Sequence, residues 1–145
     1  MHVDDIEAYD TLYLPFPVML LQETADRLKA WVKAGGTLVA EGCPGYWGDR
    51  AHVGTVQPNL GLDDVFGVRE SYVEFTPDLL GHFKLNVSGR SLWGGLYLQA
   101  YESTTGTPSG WYDDGRIAAV DHIFWQRKNA ADWYGSRLGL CRTSR

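Results

Sequence analysis

At 145 residues the chain has the length of one domain and can bury a true core. Its apolar content of 44%, its charged content of 21% and its formal net charge of -5 are those of an ordinary globular protein. They lack the basic footprint that nucleic-acid binding requires, so no nucleic-acid partner is expected. The stretch "LYLPFPVMLL" is too short to span a bilayer and is broken by Pro15 and Pro17, so no membrane segment is expected either.

The opening "MHVDDIEAYD" is acidic and does not read as a signal peptide, and the sparse cysteines fit a cytoplasmic protein. Cys43 and Cys141 are the only cysteines, and two such distant residues make no disulfide framework. His2, His52, His82 and His122 stand apart from one another and from the cysteines, so no metal site and no cofactor is expected.

In chain order, "DTLYLPF" predicts a buried strand closed by prolines. "LQETADRLKAWVKAGG" predicts a helix, with Leu21, Ala25, Leu28 and Val32 on one apolar stripe and Gly35-Gly36 at its end. Glu23 and Arg27, four apart, form the expected surface pair. "TLVAE" predicts a second strand, parallel to the first because a helix joins the two.

A glycine-rich irregular stretch follows from residue 42 to 61, and "LDDVFG" predicts a short helix. Then the period changes. "RESYVEFTP", "HFKLNVSG", "WGGLYLQAYE" and "GRIAAVDHIF" predict strands, and "STTGTPSG" predicts a loop. In "STTGTPSGWYDDG", Trp111 and Tyr112 admit two readings. One is a loop that carries them to a partner. The other, favoured here, is a hairpin-like connection turning at Asp114-Gly115.

"EGCPGYWGDR" holds the candidate site residues. Cys43 follows an apolar strand, where some hydrolases place a nucleophile. Three features oppose catalysis. Pro44 has no N–H to bind an oxyanion, and losing one such donor costs on the order of 3 kcal/mol in the transition state. "PGYWGDR" offers no helix N-terminus to depress the thiol pKa. His122, in "DHIFW", is not followed by the glutamate of a His-x-Glu pair. No catalytic residue is therefore assigned, and Cys43 reads as a small buried residue at a tight strand exit. Tyr46, Trp47, Asp49, Arg50 and His52 lie beyond the carboxyl end of a parallel strand, the edge where open α/β sheets place their sites. They are the candidate binding residues, for an interface or a ligand.

The runs "YDTLYLPFPVMLLQETADRLKAWVKAGGTLVAEGCPGYWGDR" and "VQPNLGLDDVFGVRESYVEF", with "GWYDDGRIAAVDHIF", resemble the trimerisation domain of glycoside hydrolase family 42 β-galactosidases. That resemblance covers roughly residues 2–124. It implies an α/β fold: a flavodoxin-like, class I glutamine-amidotransferase-like three-layer sandwich, here lacking its first β-α unit and carrying extra β-strands in the C-terminal half. It implies a homo-oligomer, a trimer, whose parent chain also carries a catalytic TIM barrel with the two glutamates of the retaining mechanism. On this view the chain is a fragment, residues 1–124 being a partial trimerisation-like domain with a non-catalytic assembly role. The alternatives are a cysteine-dependent amidotransferase-like hydrolase using Cys43 and a carbohydrate-binding module.

Residues 125–145 depart from the resemblance and form an aberrant basic tail, with Arg127, Lys128, Arg137, Arg142 and Arg145 against Asp132. A shift of reading frame explains such a break. With the first base of the Trp125 codon dropped, the Trp125 and Trp133 codons must each yield a glycine, and permitted codons continue in a pattern that resembles the family. The tail is then expected to be disordered or weakly structured, and the coding DNA decides the matter.

Overall fold

The computed structural model describes residues 5–76 and 81–124 in full, and the backbone of 138–140. The expected β-α-β unit is present. Strand β1 (Thr11–Leu14) and strand β2 (Thr37–Ala40) pair in parallel, Thr11 opposite Thr37 and Leu14 opposite Ala40. Helix α1 (Gln22–Lys33) joins them and buries Ala25, Leu28, Trp31 and Val32. Leu21, expected on that stripe, is 54% exposed and stands just before the first turn, while Trp31 takes the core position. The indole of Trp31 lies over Gly36, where a Cβ would fall 2.3 Å from the ring, so the closing glycine is also demanded by packing. Arg27 pairs with Glu7 at 3.3 Å instead of Glu23, because the segment before β1 folds back over the helix.

Beyond β2 a long loop leads to the short helix α2 (Leu62–Phe66), which buries Leu62, Val65 and Phe66 as expected. Six strands follow: β3 (Val68–Phe75), β4 (His82–Val87), β5 (Arg90–Gly95), β6 (Tyr97–Ser103), β7 (Thr107–Tyr112) and β8 (Ile117–His122). They pair antiparallel in the order β3-β6-β8-β7-β4-β5. The run "WGGLYLQAYE" is two strands, broken at Leu96, whose φ of 68° reverses the chain. "TPSGWY", expected in part as loop, is strand β7, and it turns at Asp113–Gly115 into β8 as a hairpin.

This arrangement overturns the expected three-layer α/β sandwich of flavodoxin-like or class I glutamine-amidotransferase-like type, with its missing first unit. The domain is mostly β and sandwich-like. A three-layer sandwich needs helices on both faces of a parallel sheet. Among the described residues only α1 and α2 are α-helices, and parallel pairing between strands is confined to β1-β2 and to β2 with a last strand, β9 (Leu138–Leu140). After Gly67 the connections are too short for crossover helices, so successive strands run antiparallel. The strands expected as additions in the C-terminal half are thus the main body of the fold.

Strand β9 lies between β2 and β8. At Leu138–Leu140, then, the tail contributes a short stretch of paired backbone. The rest of 125–145 lies outside the described residues, and with it Cys141.

Two cores result. The first gathers Ile6, Leu14, Leu28, Val32, Leu38, Phe66, Val68 and Val120 between the helices and the parallel strands. The second gathers Leu85, Val87, Ala100, Tyr112, Ala118 and Ala119 within the antiparallel strands. The alternation of β6 divides them: Leu98 and Ala100 pack into the second core, whereas Tyr101 packs into the first.

Candidate functional site

Between Pro15 and Pro17 the chain can enter neither helix nor sheet ladder, and Phe16, with φ of 47°, is held out on a turn. The loop after β2 comes alongside it. Gly45 N–H donates to the Pro17 carbonyl at 2.8 Å, Trp47 N–H to the Val18 carbonyl at 2.9 Å, and Leu20 N–H to the Trp47 carbonyl at 3.0 Å. These bonds zip two loops together and fix Trp47 between Met19 and Val53. Val73 and Phe75 from β3 and Tyr97 from β6 form the opposite wall.

The product is an open cleft of about 270 Å³ lined by Phe16, Val18, Cys43, Tyr46, Trp47, Val73, Phe75 and Tyr97. Tyr97 is its centre, with ring centroids 5.1 Å from Phe16 and 5.0 Å from Phe75, both tilted contacts. Tyr46 and Trp47 meet edge to face at 5.9 Å. Phe16 is 43% exposed and Phe75 56%.

Beneath the cleft lies a buried amide, Gln99. Its Oε1 accepts hydrogen bonds from Cys43 N–H and from the Tyr101 hydroxyl, both at 2.6 Å, and its Nε2 donates to Glu70 Oε2 at 2.5 Å. Gln99 thereby ties the loop after β2 to strands β3 and β6. Gln57 does similar work further along the loop, donating from Nε2 to the carbonyls of Tyr46 and Gly54 at 3.3 Å.

Cys43 sits on this floor, buried, with φ of 58°. Burial, and then the nearby charge of Glu70, push its thiol up to about 11, so it is protonated at neutral pH. Its own N–H is engaged by Gln99, and Pro44 has none to offer. His122 is engaged elsewhere: Nδ1–H donates to the Val65 carbonyl at 2.9 Å, which leaves Nε2 to accept from the Thr105 hydroxyl at 3.1 Å. A protonated thiol with His122 engaged elsewhere is not an activated nucleophile.

Of the candidate binding residues, Tyr46 and Trp47 line the cleft. Asp49 does not; its Oδ1 accepts the Gln22 N–H at 3.3 Å and so caps the start of α1 from a distance. Arg50 and His52 are exposed and outside the lining. Sequence reasoning missed Phe16, Val18, Val73, Phe75 and Tyr97 in the lining and Gln99 beneath it. The Pro-Phe-Pro run was a usable signal for the first. Among the described residues no group of three or more His, Cys, Asp or Glu side chains is placed to hold a metal ion, and no helix is long and apolar enough to cross a membrane.

The domain is mostly β, with an open aromatic cleft above a buried amide floor. The chain belongs to the β-galactosidase trimerisation domain family, whose sequence pattern matches residues 1–134. It is thus an assembly domain of the kind found in family 42 β-galactosidases. Several solved β-galactosidases share its fold. That of Bacillus circulans sp. alkalophilus is 16% identical with a TM-score of 0.78, over 94% of this chain and 20% of that one. That of Rahnella sp. R3 is 19% identical with a TM-score of 0.77, over 94% and 20%. The polyextremophilic enzyme of the haloarchaeon Halorubrum lacusprofundi is 19% identical with a TM-score of 0.77, over 95% and 20%. The chain therefore spans about a fifth of the length of these enzymes. None of the curated proteins matches it by sequence.

Proposed function

We propose that this domain joins copies of a family 42-type β-galactosidase into a trimer, and that the aromatic cleft is part of the contact. In this reading the parent chain also carries a TIM barrel, and the glutamates that cleave the glycosidic bond belong to that barrel. A cytoplasmic setting agrees with the free thiol of Cys43.

The observation that carries the reading is the contiguity of the cleft aromatics. Full burial of one Phe side chain is worth about 1.5–3 kcal/mol. Phe16 and Phe75 each leave around half of theirs in water, beside exposed Met19 and Leu96. Such a surface favours a large, well-packed partner. The test is light scattering on the chain and on Phe75→Asp. The wild-type chain is expected to be trimeric and the variant monomeric, with unchanged circular dichroism. A monomeric wild-type chain, or a variant that still forms trimers, would overturn the reading.

A further inference from the structure

A second group of exposed aromatic residues stands away from the cleft. Strand β4 is paired on both sides, with Lys84 opposite Trp93 of β5 and Asn86 opposite both Ser91 of β5 and Trp111 of β7. Directly opposed residues share a face of the sheet. Leu85, Val87 and Tyr112 point into the second core, with Phe83 and Leu92 packed against it. Alternation therefore turns Lys84, Asn86, Ser91, Trp93 and Trp111 outward. Trp93 is 69% exposed and Trp111 45%, whereas Trp31 in the first core is 6% exposed. Lys84, Asn86 and Ser91 are exposed, and among the described residues their side chains make no hydrogen bond or ion pair.

The chemistry of this face differs from that of a protein contact. Its two indoles do not touch; a row of polar side chains on β4 separates them. A pyranose ring carries the complementary pattern, a C–H face that stacks on an aromatic ring and a rim of hydroxyls that both donate and accept. Asn86 offers both roles, Lys84 donates, and Ser91 does either. With strands about 4.8 Å apart and residues about 3.4 Å apart along them, the two tryptophan Cα atoms stand roughly 12 Å from each other, which calls for an oligosaccharide of about three units or more. No Asp or Glu occurs between His82 and Gly95, so nothing on β4 or β5 marks the face for a cation.

We propose that the outward face of β5-β4-β7, with Trp93 and Trp111 as stacking platforms and Lys84, Asn86 and Ser91 between them, binds a neutral oligosaccharide. The pairing of β4 on both sides holds the platforms in place before the ligand arrives, which limits the ordering cost of binding.

Calorimetric titration of the full chain with β-1,4-galactotetraose and with cellotetraose tests this. Saturable binding of at least one tetraose is expected, with free galactose weaker by about tenfold or more. Trp93→Ala and Trp111→Ala should each lose about tenfold in affinity, Trp93→Phe should fall between, and Phe75→Asp should bind as wild type does. Absence of heat with both tetraoses overturns the proposal. So do undiminished binding by both Ala variants and binding confined to an acidic oligogalacturonate. Should an Ala variant unfold, Trp93→Phe and Asn86→Ala give the same discrimination. Light scattering on Phe75→Asp reports separately on assembly, so the two readings can fail independently.

Discussion

The cleft and the tryptophan face lie on opposite sides of the second core and expose the same kind of residue in two different ways. In the cleft, Phe16 and Phe75 each touch Tyr97, and their polar support is underneath, in the Gln99 amide. On the β5-β4-β7 face, Trp93 and Trp111 stand apart, and the polar groups lie between them in the plane of the surface. Contiguous aromatic surface gains most from a partner that excludes water over the whole patch. Aromatic surface interleaved with donors gains most from a ligand that is itself interleaved. Because the second core separates the two surfaces, occupation of the cleft leaves the tryptophan face open.

The comparison breaks most sharply at Gln99. Gln99→Leu removes the acceptor for Cys43 N–H and the donor to Glu70 from a site that is 4% exposed. A buried group left without its partner costs about 1–3 kcal/mol, so a total loss of about 3 kcal/mol is expected in thermal or urea unfolding. The damage should be one-sided: the loop carrying Tyr46 and Trp47 loosens, and trimer formation suffers. Oligosaccharide affinity, measured well below the melting point, should hold. Equal loss at both surfaces would show that they are not independent.

Cys43 sharpens the same contrast through pH. Its folded thiol is raised from an ordinary 9.0 to about 11. Between those values the unfolded chain releases the proton and the folded chain keeps it, so ionisation favours unfolding. The stabilising contribution is whole below pH 9 and is lost as the pH rises toward 11. The melting temperature of the wild-type chain should therefore fall by a few degrees more across that window than that of Cys43→Ala. Parallel melting curves for the two would mean that the cleft floor is wetter than its packing implies.

The β1-α1-β2 unit, α2 and the β7-β8 turn were legible in the sequence because each is local: an apolar stripe, a closing glycine, an Asp-Gly turn. The fold class was not, because it depends on which strands pair over long separations. Nothing within "WGGLYLQAYE" announces that Leu96 takes a left-handed conformation and splits the run between two strands. "TPSGWY" carries a Pro and a Gly, so its place in the sheet beside β4 is invisible to local propensity. Part of the cleft was readable, at Cys43, Tyr46 and Trp47. The rest was not, since Phe75 and Tyr97 reach it only through the β3-β6 register, which sets them directly opposite each other. A clue did exist at Gln99: a polar residue on the strand face shared with Tyr97 and Tyr101 marks a buried hydrogen-bonding role.

Asp49 gives the smallest effect and the finest test of where the cleft ends. It neighbours Trp47 in sequence, yet its carboxylate faces the first turn of α1, accepting the Gln22 N–H at 3.3 Å. The residue before that turn, Leu21, has no side chain able to cap, so Asp49 stands in for the cap and places negative charge at the positive end of the helix. The bond is long and exposed, which puts Asp49→Ala at the low end of cap deletions, a loss of about 0.5 kcal/mol. Asp49→Asn keeps an acceptor but removes the charge, so it should recover part of that loss, and added salt should narrow the gap between wild type and Asn. Neither substitution should alter the oligomeric state, since the carboxylate lies outside the cleft wall. A change in light scattering from Asp49→Ala at constant stability would extend the assembly surface past Trp47 and onto the start of α1.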